Sequence, residues 1–227
     1  MNEKFRFITI EGGDGSGKGT QAEELRKYYA EKLGKHVLKI SFPRYGEKSA
    51  YYVGEYLNGN YGQVNEVHAD LASLAYALDR FDAKDEITDQ LTDPEGIVIS
   101  DRYVASNLAH QGTKFENFED RKKYYDRDMD TEYGILNIPR PDINIVLLVP
   151  TETAQKNVDN KDARSYTTKK RDIHEADATH LDRAKANYEE LCQLYPEEFT
   201  PITCVNEEGN MRPIEDIQQE IRTILGV

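Results

Sequence analysis

The stretch Phe5–Gln21, FRFITIEGGDGSGKGTQ, constrains the fold more tightly than any other part of the chain. Phe7-Ile8-Thr9-Ile10 is short, apolar and rich in β-branched residues, the pattern of a buried strand. Gly12, Gly13, Gly15 and Gly17 follow around Asp14 and Ser16, and Lys18, Gly19 and Thr20 then open a helical pattern. Strand, glycine-rich turn, lysine and helix start are the parts of a phosphate-binding loop, in their required order. The glycines let the backbone curl until successive N–H groups face an anion. The helix start adds partial positive charge, and Lys18 a full one. Gly12 to Thr20 is therefore the expected nucleotide-phosphate site. Gly12-x4-Gly17-Lys18 meets the spacing, but Gly19 stands where Ser or Thr usually follows the lysine. The nearest hydroxyl for a metal ion comes one residue later, on Thr20. A glycine turn with no ligand is the bland alternative, and the strand and helix on either side weigh against it.

A chain of 227 residues can bury a sizeable core. Lys and Arg number 29 against 42 Asp and Glu, a formal charge of −13. That balance speaks against non-specific nucleic-acid binding and means that any phosphate chemistry needs locally focused cations. No apolar run approaches the ~20 residues that span a bilayer. The polar Met1–Arg6 segment and the short run after it do not make a signal peptide. Cys192 and Cys204 are the only cysteines, expected as free thiols in a reducing, cytoplasmic setting.

No internal repeat, low-complexity tract or linker interrupts the sequence, so residues 1–227 read as one domain. Helices are expected over Lys18–Leu33, Val64–Leu91 (apolar content from Leu71, Leu74, Ala75, Ala77, Leu78 and Phe81), Thr151 onward, His174–Tyr195 and Pro213–Leu225. Another should start near Ala105, and the charged Thr113–Asn137 segment should be helical in part, exposed or at an interface. Strands are expected at Val37–Phe42, Ile97–Asp101, Ile143–Val149 and, weakly, Pro201–Val205. Alternating strands and helices predict an α/β fold: a five-stranded parallel sheet covered on both faces, three-layer αβα. Ligands of such sheets gather beyond the carboxyl ends of the strands, where Gly12–Lys18, Phe42–Tyr45 and Asp101–Arg102 all fall.

Asp101 ends its strand where a carboxylate would hold Mg²⁺, directly or through water. Arg102 follows it, Arg44 follows the second strand and Arg80 lies on the long helix. Each alone reads as a surface charge or structural ion pair. Together they fit a second anion site facing the first, which means phosphoryl transfer between two phosphorylated molecules. The basic, aperiodic stretch holding Arg164, Lys169, Lys170 and Arg171, about residues 160–173, reads as a solvated loop or as a short mobile lid. A lid would bring cations to the transferring group. Tyr76, one turn before Arg80, is a core tyrosine or an aromatic surface for a nucleobase.

The chain resembles the thymidylate kinases, close to the bacterial members with a catalytic arginine in the lid. The resemblance runs from about Phe5 to Leu225. It rests on Glu11-Gly12-x-Asp14-Gly15-x-Gly17-Lys18-x-Thr20, Phe42-Pro43-Arg44-Tyr45-Gly46, Ala77-Leu78-Asp79-Arg80, Asp101 through Asn107, Pro139-x-Pro141-Asp142 and Arg171-Asp172-x-x-Glu175. It implies a P-loop NTPase fold, ATP and Mg²⁺ as donor and cofactor, dTMP as acceptor and a homodimer. It further implies that Asp14 lies near the acceptor sugar, Arg44 and Arg102 near its phosphate, and Tyr76 against thymine. Arg80 and Asn107 would meet the base edge, with Phe42, Tyr45, Ser106, His110 and Glu175 completing the acceptor pocket. Lys18, Asp14 and Arg102 are then catalytic. Gly15 occupies the loop position that carries arginine in the other class, so the lid must supply it, from Arg171 first and Arg164 second. Two departures stand out besides Gly19. His110 replaces an expected Tyr or Phe near the sugar 2′ position, and Tyr76 replaces a more usual Phe.

Alternatives on the same loop are a deoxynucleoside kinase, another nucleoside monophosphate kinase, or a GTPase-type switch. Arg44 in place of a carboxylate after the second strand argues against the first. The switch motifs fail on order and spacing: Asp93-x-x-Gly96 precedes its strand, and Asn160-Lys161-Asp162 is one residue short.

Overall fold

The computed structural model describes residues 4–159 and 178–227. Within them, five strands form one parallel sheet: β1 (Phe7–Gly12), β2 (His36–Ser41), β3 (Gly96–Asp101), β4 (Ile143–Leu148) and β5 (Phe199–Thr203), in the order β2-β3-β1-β4-β5. β1 is buried along its whole length, and β3 and β4 are buried up to their last residue. A near-continuous apolar run of this kind needs cover on both faces, and helices supply it. Ile8, Ile10, Ile99 and Ile145 pack on one side with Leu25 of α1 (Lys18–Lys27) and Ile217 and Ile221 of α9 (Ile214–Leu225). On the other side Val146 meets Leu108 of α5 (Val104–Gly112), Tyr124 of α6 (Phe118–Met129) and Leu191 of α8 (Ala178–Leu194). The expected three-layer αβα architecture is what the chain adopts.

Register decides where the site lies. Asp101 pairs with both Ile10 and Ser41, and Gly12 pairs with Leu147. The carboxyl ends of the central strands therefore finish level, and the segments that follow them share one edge.

The expected helix over Val64–Leu91 is two helices, α3 (Ala69–Asp82) and α4 (Lys84–Thr92), broken at the buried Ala83. Small residues let α3 approach α5, while Ile87 turns α4 onto the β2–β3 side of the sheet. The apolar residues taken to anchor this helix are largely outside: Leu71 is 65% exposed, and Leu74, Leu78 and Phe81 are exposed too. Its buried face is Ala72, Ser73, Ala77, Asp79 and Arg80. A second difference concerns Thr113–Asn137, whose charge suggested exposure. α6 and the π-helical turn Asp130–Ile135 bury Tyr124, Tyr125, Asp128 and Glu132. Smaller shifts occur elsewhere. The first helix closes as a π-helical turn over Tyr28–Lys32, and β5 starts at Phe199. Two further helices are α2 (Tyr51–Leu57) and α7 (Thr151–Asp159). The proposed lid, with Arg164, Lys169, Lys170, Arg171 and Glu175, lies outside the described residues.

Candidate active site

The loop between β1 and α1 is shaped by its glycines. Gly12 has φ +132°, and a Cβ there would lie 2.4 Å from the Leu147 carbonyl oxygen. Gly15 has φ +80°, and a Cβ there would lie 2.1 Å from the Ala154 carbonyl oxygen of α7. Both positions admit glycine alone, for backbone and for space. Gly17, the N-cap of α1, offers no side-chain cap, and the first turn carries no acidic residue. The helix start thus keeps its donors and dipole for an anion. Ser16 Oγ is buried in the loop with no hydrogen-bond partner, an orphaned donor of the kind a bound phosphate satisfies. Lys18 Nζ donates to the Gly13 carbonyl at 2.7 Å and lies 4.0 Å from Asp14 Oδ1. Burial, helped by the nearby Arg102 cation, pulls its pKa down to about 8.

Arg102 faces this loop from the end of β3. Its φ of +69° is a costly backbone state for a side chain of this size, of the kind concentrated at functional sites. Two bonds hold it: Arg102 N–H donates to the Ile10 carbonyl (3.1 Å), and Ser100 Oγ donates to the Arg102 carbonyl (2.6 Å). The side chain then reaches Asp14, Nη2 to Oδ1, at 2.5 Å. Nη1 lies 3.2 Å from Ser106 Oγ and 3.4 Å from His110 Nε2. Ser106 and His110, one turn apart on α5, face the Arg102 side chain, which enters from the loop just before the helix. Beneath them the fully buried Glu11 accepts from Tyr103 N–H (2.6 Å), Ser106 Oγ (2.7 Å) and Tyr188 OH (3.0 Å). Burial raises its pKa against these bonds. Glu11 thereby ties the start of α5 to the end of β1.

The other two arginines point elsewhere. Arg80 is buried in a two-pronged ion pair with Glu132, Nε–Oε2 and Nη2–Oε1 both 2.5 Å. Asn107 Nδ2 donates to the same Glu132 Oε1 (3.0 Å) and to the Ser73 carbonyl (3.2 Å). Arg80 and Asn107 are thus brought together, by a carboxylate between them. Arg44 donates from Nε to Asp79 Oδ1 (3.0 Å) and from Nη2 to Ser49 Oγ (2.9 Å), and also pairs with Asp82. Of the three arginines expected to converge on one anion, Arg102 alone lies against the loop.

A family model described as thymidylate kinase matches residues 10–221. The chain belongs to the thymidylate kinase family. The thymidylate kinase of Mycobacterium tuberculosis is 34% identical over 187 residues, spanning 82% of this chain and 85% of that one. A probable thymidylate kinase of Thermococcus gammatolerans is 27% identical over 223 residues, 95% of this chain and 93% of its own. Among solved structures, the thymidylate kinase of Candida albicans superposes with a TM-score of 0.70 at 18% identity, covering all of this chain and 93% of that one. That of Ehrlichia chaffeensis gives 0.67 at 22% identity, covering 96% and 97%. These last two speak for the fold.

Within this thymidylate kinase fold the aromatic candidates fall around α3. Tyr76 is partly buried and meets Tyr56 edge-on at 6.4 Å, with Tyr45 in the same cluster. Phe42 is buried and packs edge-on against Tyr103 at 5.6 Å, so it serves the wall behind the site. Asp101 closes β3, and its Oδ2 would lie 3.1 Å from a Cβ on Gly19. Glycine there leaves the carboxylate room at the helix start, and Thr20 is exposed beside it. These oxygen donors suit a hard cation such as Mg²⁺. Among the described residues no three His, Cys, Asp or Glu side chains cluster as a metal site. A cation here would complete its shell with phosphate oxygens and water. Sequence reasoning missed Glu132, Asp79, Tyr188 and His180. It quoted Glu11 and Asp79 in motifs without giving them roles. Their partners lie far along the chain, and no local spacing announces them.

Proposed function

We propose that the chain phosphorylates dTMP to dTDP, with ATP as donor, by direct transfer between two nucleotides bound at the carboxyl edge of the sheet. Family membership carries the reaction. The observation that carries the residue assignment is the Arg102–Asp14 contact, which sets a strained, well-held cation at the rim of the phosphate loop.

In this reading Gly12–Thr20 cradle the ATP phosphates, with Lys18 on the transferring end. Arg102 takes the acceptor phosphate, Asp14 and His110 its sugar, and Tyr76 the thymine face. Arg80 and Asn107, stiffened by Glu132, read the base edge. Arg44 joins the acceptor phosphate by exchanging the exposed Asp82 for it. The acceptor's phosphate oxygen is already nucleophilic, so holding the reactants in line and neutralising charge supplies the catalysis. Mg²⁺, held by Asp101 directly or through water and with Thr20 nearby, would offset charge on the donor phosphates. Arg171 or Arg164 supplies the lid cation and Glu175 a substrate contact. We place the enzyme in the cytoplasm as one kinase domain, in keeping with its two free cysteines, and as a homodimer. Among the described residues no helix is long and apolar enough to cross a membrane.

The test is a coupled ADP-release assay with dTMP, dUMP, UMP, CMP, AMP, GMP and thymidine. Highest kcat/KM with dTMP is expected, and preference for any other acceptor overturns the substrate assignment. Arg102→Ala should abolish turnover while leaving the thermal transition in place.

A further inference from the structure

Two imidazoles stand behind Arg102. His110 and the buried His180 of α8 stack at 5.4 Å between centroids, with planes 28° apart. His110 Nδ1 lies 3.2 Å from His180 Nε2, and His180 Nδ1 lies 3.2 Å from Thr113 Oγ1. Thr113 Oγ1 donates at 2.8 Å to the carbonyl of His110. The chain of contacts begins at Arg102 Nη1, 3.4 Å from His110 Nε2.

Proton counting orders this chain. A guanidinium only donates, so His110 Nε2 must offer its lone pair, and a neutral His110 carries its proton on Nδ1. That proton points at His180 Nε2, which must accept, placing the His180 proton on Nδ1. Thr113 Oγ1 receives it and passes its own proton to the His110 carbonyl. Every donor meets an acceptor, and the direction cannot be reversed without setting two donors against each other at Arg102. Protonating His110 does set them so. The surroundings oppose it: Arg102 from the β3 end, His180 of α8 and Lys18 from the loop act against a further charge on the ring, while the Asp14 carboxylate favours one. Tyr188 of α8 meets it edge-on at 6.2 Å. Burial, with Arg102 and His180 behind it, holds the His110 pKa well below its ordinary value.

We propose that His110 and His180 form a positioning pair that fixes the Arg102 guanidinium for the acceptor phosphate, His180 acting through His110. Nη1 reaches Ser106, His110 and the Gly12 carbonyl, and Nη2 reaches Asp14, so the plane of the guanidinium is set from both ends. The inference rests on the reading of Arg102 as the acceptor-phosphate residue, and its test separates the two.

With five histidines in the chain, ¹⁵N-imidazole NMR of the wild-type protein resolves the rings, assigned by the His110→Gln and His180→Gln spectra. At pH 7 both rings should be neutral with the proton on Nδ1. An Nε2–H tautomer or an imidazolium at either position overturns the pair, whatever the kinetics. In turnover, His180→Phe keeps the stack and loses both bonds. It should lower kcat about tenfold, the scale of one hydrogen bond to a charged group, and leave KM for ATP unmoved. His180→Gln, whose amide oxygen can take the place of Nε2, should recover most of that loss. Wild-type kcat in a folded His180→Phe variant also overturns the proposal. If that variant fails to fold, the tautomer result on the wild type decides. A wild type inactive with dTMP defeats the acceptor reading and leaves the tautomer result standing.

Discussion

At the scale of single residues, the candidate site holds charges where water would otherwise screen them. Lys18 shows what this implies for binding. Burial and Arg102 depress its pKa to about 8, so the empty loop is partly deprotonated in mildly alkaline solution. A triphosphate set against the ammonium favours the charged form and lifts the pKa again. Above pH 8, ATP must therefore bring a proton with it. From a pKa of about 8, uptake from Lys18 should be roughly 0.9 proton at pH 9 and about 0.2 at pH 7.5. Calorimetric titration of ATP in two buffers of different ionisation enthalpy measures this directly. Equal uptake at both pH values, or uptake that persists in Lys18→Met, removes Lys18 from the phosphate contact. Arg80 shows the opposite strategy. Its charge is matched by Glu132 before any ligand arrives, so in the proposed role at the base edge it would offer hydrogen bonds without adding a net charge there.

The elements explain why some of this was legible in the sequence and some was not. β1, β3 and β4 are continuous apolar runs whose ends carry the glycine loop and Asp101-Arg102, so strand pattern and site position came together. Ser106 and His110 share a face of α5 by helical spacing, whereas Arg102 joins them only through the left-handed backbone before the helix. Glu132 and His180 did not announce themselves, because each acquires meaning only from partners brought in by the fold: Arg80 is 52 residues from Glu132, and His110 is 70 residues from His180. The break at Ala83 was hidden because both halves of the segment are good helix. A similar long-range contact governs α7, whose Ala154 backbone lies where a side chain on Gly15 would go, while Asn157 Nδ2 donates to the Gly15 carbonyl at 2.9 Å. This explains physically why residue 15 cannot carry an arginine in this arrangement. Gly15→Ala should lose about 1–3 kcal/mol, from the left-handed backbone and the clash together, and should raise KM for ATP. Gly13→Ala is the control for stability, since a Cβ there meets nothing within 4 Å. Urea midpoints for the two variants decide the matter. Equal midpoints would mean that α7 does not rest on the loop.

For the molecule as a whole, the exposed stripe on α3 is the surface on which the proposed homodimer can be tested. Leu71, Leu74, Leu78 and Phe81 recur at helical spacing on its outer face, and Tyr52 and Tyr61 line an open groove beside Leu71, Leu74 and Leu78. Periodicity made this stripe look like core, because hydrophobic spacing cannot tell a face turned to the sheet from one turned to another chain. Laid along a helix of 14 residues, about 21 Å long, it suits a two-fold contact in which α3 meets its own copy. A stable contact buries on the order of 800 Å² per partner. Two chains of formal charge −13 repel each other, so the apolar stripe must outweigh that repulsion, and salt should help it by screening. The wild type is therefore expected to sediment as a dimer at micromolar concentration, with a Kd that falls as salt rises from 20 to roughly 200 mM, where the screening length shrinks below ~10 Å. Leu74→Glu with Leu78→Glu buries four added carboxylates across the two-fold axis and should give monomer at every concentration. Those side chains are solvent-exposed in the single chain, so its thermal transition should move little at protein concentrations where the wild type is also dissociated. A wild type that stays monomeric at tens of micromolar, or a double variant that still dimerises, would assign the stripe to something other than a second copy.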